Sequence, residues 1–134
     1  MTEWSIEYTF DVDTGDRIIY EKIYGLWKQE TAERYHRDFM KAVQLLLGKP
    51  WAKLVDLVNW RTSYPQVTDR IADHLRWCQA NNMVLSVNVL NNISTYRQLN
   101  RMFTGGGTGP ISKTFSTRTE AEEFLKEHWF KRKK

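Results

Sequence analysis

Ala52-Lys53-Leu54-Val55-Asp56-Leu57-Val58 is the stretch on which the fold turns. It is short and mostly apolar, the pattern of an inner strand covered on both faces. Helical periodicity flanks it. Upstream, over residues 28–47, Ala32, Tyr35, Phe39, Val43 and Leu46 recur at three- and four-residue steps. Gly48 and Pro50 follow as stop signals. Downstream, residues 64–80 carry a second stripe of Val67, Ile71, Leu75 and Cys78. Ser63 and Gln66 have capping-box spacing, and Pro65 sits in the first turn, where its missing N–H costs nothing. Asn81-Asn82 reads as a left-handed stop.

Working outward, Met83 to Leu90 is again apolar enough for a central strand. Ser94 or Thr95 opens a short helix carrying Tyr96, Leu99, Met102 and Phe103. Residues 104–110 read as a glycine-rich loop, and Ile111 to Phe115 as a last strand. Thr117 and Glu120 form a capping box for a final helix to Phe130, with Ala121, Phe124, Leu125 and Trp129 inward. At the other end Trp4, Ile6, Tyr8 and Phe10 alternate with polar residues, a strand with one covered face. Residues 11–16 read as a turn with Gly15 free to take positive φ, and Ile18 to Tyr24 as the return strand. The order β-β-α-β-α-β-α-β-α predicts one α/β domain over residues 1–130, followed by a basic tail at 131–134. The sheet is expected to be mixed: mostly parallel with right-handed crossovers, plus an N-terminal hairpin. The helices could share one face or use both.

At 134 residues, with 41% apolar and 27% charged, the chain fits one ordinary domain. Six Trp, six Tyr and six Phe predict an aromatic core. One cysteine allows no internal disulfide, the start lacks a signal-peptide pattern, and no apolar run spans a bilayer. A cytoplasmic protein is expected. Lys131-Arg132-Lys133-Lys134 accounts for the whole net charge of +4. It reads as a solvated end, and the interspersed charges elsewhere predict no nucleic-acid partner.

The succession resembles the STAS superfamily, and within it the SpoIIAA-like family of small bacterial proteins. Ile23-Tyr24-Gly25-Leu26-Trp27, Lys53-Leu54-Val55-Asp56-Leu57 and the stretch Phe115 to Leu125 carry the resemblance. In the anti-sigma-factor antagonists of that superfamily, a kinase phosphorylates a Ser or Thr just after the central strand, typically in Asp-Ser-Ser/Thr-Gly. This chain has Asn59-Trp60-Arg61-Thr62-Ser63-Tyr64-Pro65 there, without that Asp and Gly. The resemblance makes Ser63, with Thr62 beside it, a candidate phosphosite; the residues alone make Ser63 a helix N-cap.

Asn59, Trp60, Arg61, Thr62, Ser63 and Tyr64 form the candidate binding surface, because ligands gather at the carboxyl ends of parallel strands. Aromatics beside an Arg are interface anchors, although Trp60 could equally pack under its loop. Asn91-Asn92 and the glycine-rich loop are placed on the same edge. That loop lacks a phosphate-loop ending and leads into a strand, so it reads as a connector. His36, His74 and His128 lie on three helices without metal-ligand spacing and read as helix-face residues; no metal or cofactor is expected. Cys78 reads as a buried hydrophobe. Asp56, inside an apolar run, calls for a strand-end position with hydrogen bonds.

No catalytic constellation or cofactor fingerprint is recognisable. The leading expectation is a non-catalytic regulatory module acting through a protein partner. The alternative is a lipid or small-molecule carrier, for which the aromatic load could line a pocket. An exposed aromatic edge strand from Trp4 to Phe10 would allow a homodimer, unless a helix covers it.

Overall fold

The structure is a computed structural model that describes residues 7–61 and 65–130. Its elements are β1 (Tyr8–Asp13), β2 (Ile18–Ile23), α1 (Gln29–Ala42), β3 (Trp51–Asp56), α2 (Pro65–Ala80), β4 (Met83–Val89), α3 (Ile93–Gly106), β5 (Ser112–Phe115) and α4 (Arg118–Leu125). A short 3-10 turn, Gln44–Leu46, follows α1, and a π-helical turn, Lys126–Phe130, continues α4. This is the expected β-β-α-β-α-β-α-β-α order.

The five strands form one sheet in sequence order, β1-β2-β3-β4-β5. β1 is antiparallel to β2, and the pairs β2–β3, β3–β4 and β4–β5 are parallel. Each parallel strand thus sits beside its predecessor, always stepping the same way. Right-handed crossovers then place α1, α2 and α3 on a single face. The packing follows suit. Ile19, Ile23, Trp51 and Val55 share one core with the inward stripes of those three helices, whereas Ile18, Ala52, Leu54, Val87 and Val89 pack on the other face against Ala121, Leu125 and Trp129. The alternation of neighbours along β2 and β3 is the period-two geometry of a strand covered on both sides.

α1 covers β1 as well. Tyr8 and Phe10 lie 5.4 and 5.6 Å from the Tyr35 ring, so these edge-strand aromatics face a helix of their own chain. Trp4 and Ile6 lie outside the described residues.

Several boundaries differ from expectation. β1 runs on to Asp13, and the positive φ of the hairpin falls on Arg17 (58°) rather than on Gly15. Arg17 is held there by its guanidinium, which donates to the carbonyls of Leu46, Lys49 and Pro50. α1 stops at Ala42, before Gly48. Asn82 takes the left-handed stop after α2, with φ 80°. The largest difference is α3. It opens one residue before Ser94, with Asn92 as its cap accepting from Thr95 N at 3.0 Å, and runs through Gly105 and Gly106. The supposed loop is helical because Gly106 lies against α2, where an added Cβ would meet the Ala72 carbonyl oxygen at 2.6 Å. Close helix contact fixes this turn more strongly than glycine's low helix propensity loosens it. At the other end of the chain, Thr117 caps α4 by accepting from Glu120 N, as its capping box requires.

Candidate functional site

Polar chemistry collects in two places. The first lies between the sheet and α1–α3. Ile19, Glu21 and Ile23 point to one side of β2, and Trp51, Lys53 and Val55 to the matching side of β3. Two charged residues therefore stand where period two calls for apolar ones, and both are buried. Lys53 Nζ lies 3.7 Å from Glu21 Oε2, and the Tyr35 hydroxyl donates to Glu21 Oε1. Burial raises the Glu21 pKa, against the opposing pull of Lys53 and Tyr35. Burial, then the Glu21 charge, holds Tyr35 well above an ordinary tyrosine.

His74 of α2 is buried beside this pair. Its Nδ1 is 2.7 Å from Nδ1 of His36 on α1, so one ring donates to the other; its Nε2 lies 3.5 Å from Cys78 Sγ. Burial and then the Lys53 charge push His74 well below the usual histidine range. Burial and Arg70 lower His36. Burial takes the Cys78 thiol up to about 12, which keeps it protonated and inert as a nucleophile at neutral pH. The two histidines expected on separate helix faces thus join across α1 and α2. His128 stays apart, exposed and stacked on Phe124 at 4.2 Å.

A cavity of about 40 Å³ adjoins this array, its wall including Trp27, Tyr35, Lys53, Trp60, His74 and Asn88. Glu21 Oε2 and Trp60 Nε1 are buried without a hydrogen-bond partner among the described residues. At roughly 10–15 Å³ per water, the space suits a few waters. Among the described residues, no group of three or more metal-ligating side chains exists.

The second place is the carboxyl edge of the sheet. An open groove of about 500 Å³ runs between the loops after β3 and β4, with Val58, Asn59, Arg61, Asn91, Asn92 and Ser94 on its walls. Asn59 and Arg61 are exposed there, together with Asn91 and Asn92. Trp60 is not an outward anchor. It is 5% exposed and packs edge-on to Trp27 at 6.3 Å. The backbone turns it inward, because Gly25 N donates to Asn59 O and Arg61 N donates to Gly25 O, bridging the β2–α1 and β3–α2 loops. Gly25 has φ 73°, which glycine adopts freely. Asp56 ends β3, and its Oδ1 accepts from Val58 N at 3.1 Å. Thr62, Ser63 and Tyr64 lie outside the described residues. The glycine-rich segment is not on this edge: it precedes β5, so parallel topology puts it at the opposite end, where Arg76 Nη2 donates to Gly105 O.

Sequence reading passed over Glu21 and Lys53. Their shared face with Ile19, Ile23 and Val55 was the available signal.

Among solved structures, the chain is similar to an uncharacterised protein of the DUF3478 family with a SpoIIAA-like fold from Shewanella loihica PV-4. The TM-score is 0.65 and the identity 13%, covering 89% of this chain and 94% of that one. It is also similar to the protein TM1081, solved by NMR, with TM-score 0.57, 14% identity and coverages of 87% and 86%. The fold is therefore SpoIIAA-like. No protein-family profile matches the chain, and no curated protein matches it in sequence. No helix among the described residues is long and apolar enough to cross a membrane.

Proposed function

We propose that the protein is a non-catalytic, cytoplasmic regulatory module that binds a protein partner through the carboxyl edge of its sheet, as its resemblance to anti-sigma-factor antagonists implies. One observation carries this reading. Of the five large apolar side chains that stand exposed among the described residues, four lie at this edge: Leu26 (48%), Val58 (41%), Ile93 (69%) and Tyr96 (40%). Val58 lines a groove walled by asparagines and an arginine, and Ile93 precedes its Ser94 and Thr95, together the mix of apolar, amide and guanidinium groups from which protein interfaces are made. Ser63 and Thr62 follow Arg61 in sequence, so phosphate on either would add negative charge next to the groove's arginine. That makes them the proposed switch.

The carrier alternative finds less support. The interior cavity, about 40 Å³, falls well short of the ~300–1,000 Å³ that a drug-sized ligand occupies.

The test is a gentle affinity isolation from the native host, with mass spectrometry, repeated with Val58→Asp and Ile93→Asp. Both positions are exposed, so each variant should keep its circular dichroism and melting temperature. A partner retained by the parent and lost by both variants supports the edge. A partner held equally by all three proteins sinks it.

A further inference from the structure

Resting on that edge reading, we propose that the segment received there is acidic and amphipathic, placing carboxylates against Arg61, Arg97 and Arg101 and apolar side chains against Val58, Ile93 and Tyr96. α3 buries Leu99, Met102 and Phe103 and turns Ile93, Tyr96, Arg97 and Arg101 outward. Ile93, Arg97 and Arg101 follow one another at steps of four, so they form one stripe about 12 Å long. The stripe begins beside the groove, which Ser94 and Thr95 line.

Along the chain from α3 to β5 the charge is one-sided. No Asp or Glu occurs between Asp73 and Glu120, a run that holds Arg76, Arg97, Arg101, Lys113 and Arg118. Arg76 is paired with Asp73 and Arg118 with Glu122. Arg61, Arg97 and Arg101 form no ion pair among the described residues. Among the described residues no carboxylate lines the groove, and Asp56, a few residues upstream, is engaged with the Val58 N–H. Unpaired guanidiniums beside exposed aliphatic groups match a ligand that offers both carboxylates and apolar side chains, and a peptide segment does so over the length of the stripe. A nucleic acid would use the arginines but leave Val58 and Ile93 in water. Rim arginines act mainly on encounter rate and salt dependence, so the mark of this partner is binding that weakens with ionic strength. Phosphate at Ser63 or Thr62 would oppose such a segment by like-charge repulsion.

The full chain, labelled with ¹⁵N, would be titrated with three probes: an amphipathic peptide of leucine and glutamate, the same peptide with lysine for glutamate, and a short single-stranded oligonucleotide. The expected result is shifted amide signals at Val58, Asn59, Arg61 and the first turns of α3 with the glutamate peptide alone. The Arg97→Glu, Arg101→Glu double variant should bind that peptide about tenfold more weakly or worse, with its remaining spectrum unchanged. Equal or stronger binding of the lysine peptide or the oligonucleotide overturns the inference, and so does a glutamate peptide that leaves these signals still. The two ideas fail separately. A partner lost on Ile93→Asp whose contacting segment carries no carboxylates removes this inference and leaves the edge reading standing; a partner indifferent to Ile93→Asp removes the edge reading itself.

Discussion

The two faces of the sheet are built from the same strands and yet differ in kind. The face under α4 is apolar and built on aliphatic strand residues: Ile18, Ala52, Leu54, Leu85, Val87 and Val89 meet Ala121, Leu125 and Trp129, with Tyr20, Phe115, Phe124 and Phe130 packed at the margin. The face under α1–α3 holds most of the aromatic rings, a buried Glu21–Lys53 pair, a buried histidine and a cavity. One face is held mainly by shape. The other is held by shape plus a buried, partly hydrogen-bonded polar arrangement, so it should respond to charge and pH where its neighbour does not.

Removing one charge tests this most severely. Lys53→Ala leaves Glu21 buried and uncompensated, at an expected cost of about 3–5 kcal/mol in urea unfolding. The Glu21→Gln, Lys53→Met double variant keeps an acceptor for Tyr35 and should recover most of that loss. A Lys53→Ala deficit below about 1 kcal/mol would mean that water reaches the pair. On the aliphatic face, Leu54→Ala should cost roughly 2–5 kcal/mol as a simple cavity, equally above and below neutral pH. A pH-dependent Leu54 deficit would dissolve the contrast. Gly106→Ala pushes a methyl into the Ala72 backbone and should cost about 1–3 kcal/mol.

Acid should act on the polar face with two opposite signs. His36 and His74 have lowered pKa values in the fold, so the unfolded chain takes up protons first as pH falls. Their contribution is complete above about pH 6.5 and is lost as pH drops toward their folded values. Glu21 has a raised pKa, so its contribution is complete below about 4.5 and is lost as pH rises through its folded value. Between the two, the carboxyl group partly offsets the histidines. In Glu21→Gln the unfolding free energy from urea titration should therefore fall more steeply on acidification, by up to about 1.4 kcal/mol per pH unit for each proton no longer offset. Parallel pH profiles for parent and variant would remove Glu21 from the account. The smallest stability effect belongs to the exposed edge: Val58→Asp should change stability by no more than about 0.5 kcal/mol while abolishing partner retention.

Much of this was readable from residue order. The apolar run at 52–58 found β3 to within two residues, and Thr117 with Glu120 marked the start of α4, because both rest on local rules. Three features escaped for physical reasons. Glu21 and Lys53 obey the strand period, but charge argues for the outside, and only a partner on the next strand makes the inside tolerable. Gly105 and Gly106 spell a loop by composition, and contact with Ala72 on another helix makes them helical. Trp60 could have faced either way until the Gly25 bridge fixed its backbone. Strand direction put Asn59, Arg61, Asn91 and Asn92 at the carboxyl edge, where they line one groove, whereas the α3 arginines are not legible because their stripe runs along a helix longer than its apolar pattern.

The strand order also bears on how the molecule can be made. Every strand pairs with the one synthesised just before it, so the sheet can widen step by step as the chain emerges from the ribosome, with no gap left for a later strand to enter. The exception comes last. Until the final helix arrives and the Trp129 indole donates to the Asp16 carbonyl, 113 residues upstream, one whole aliphatic surface stands bare. A nascent chain halted before residue 118 would be a nearly finished sheet with one greasy side, and a natural client for a chaperone.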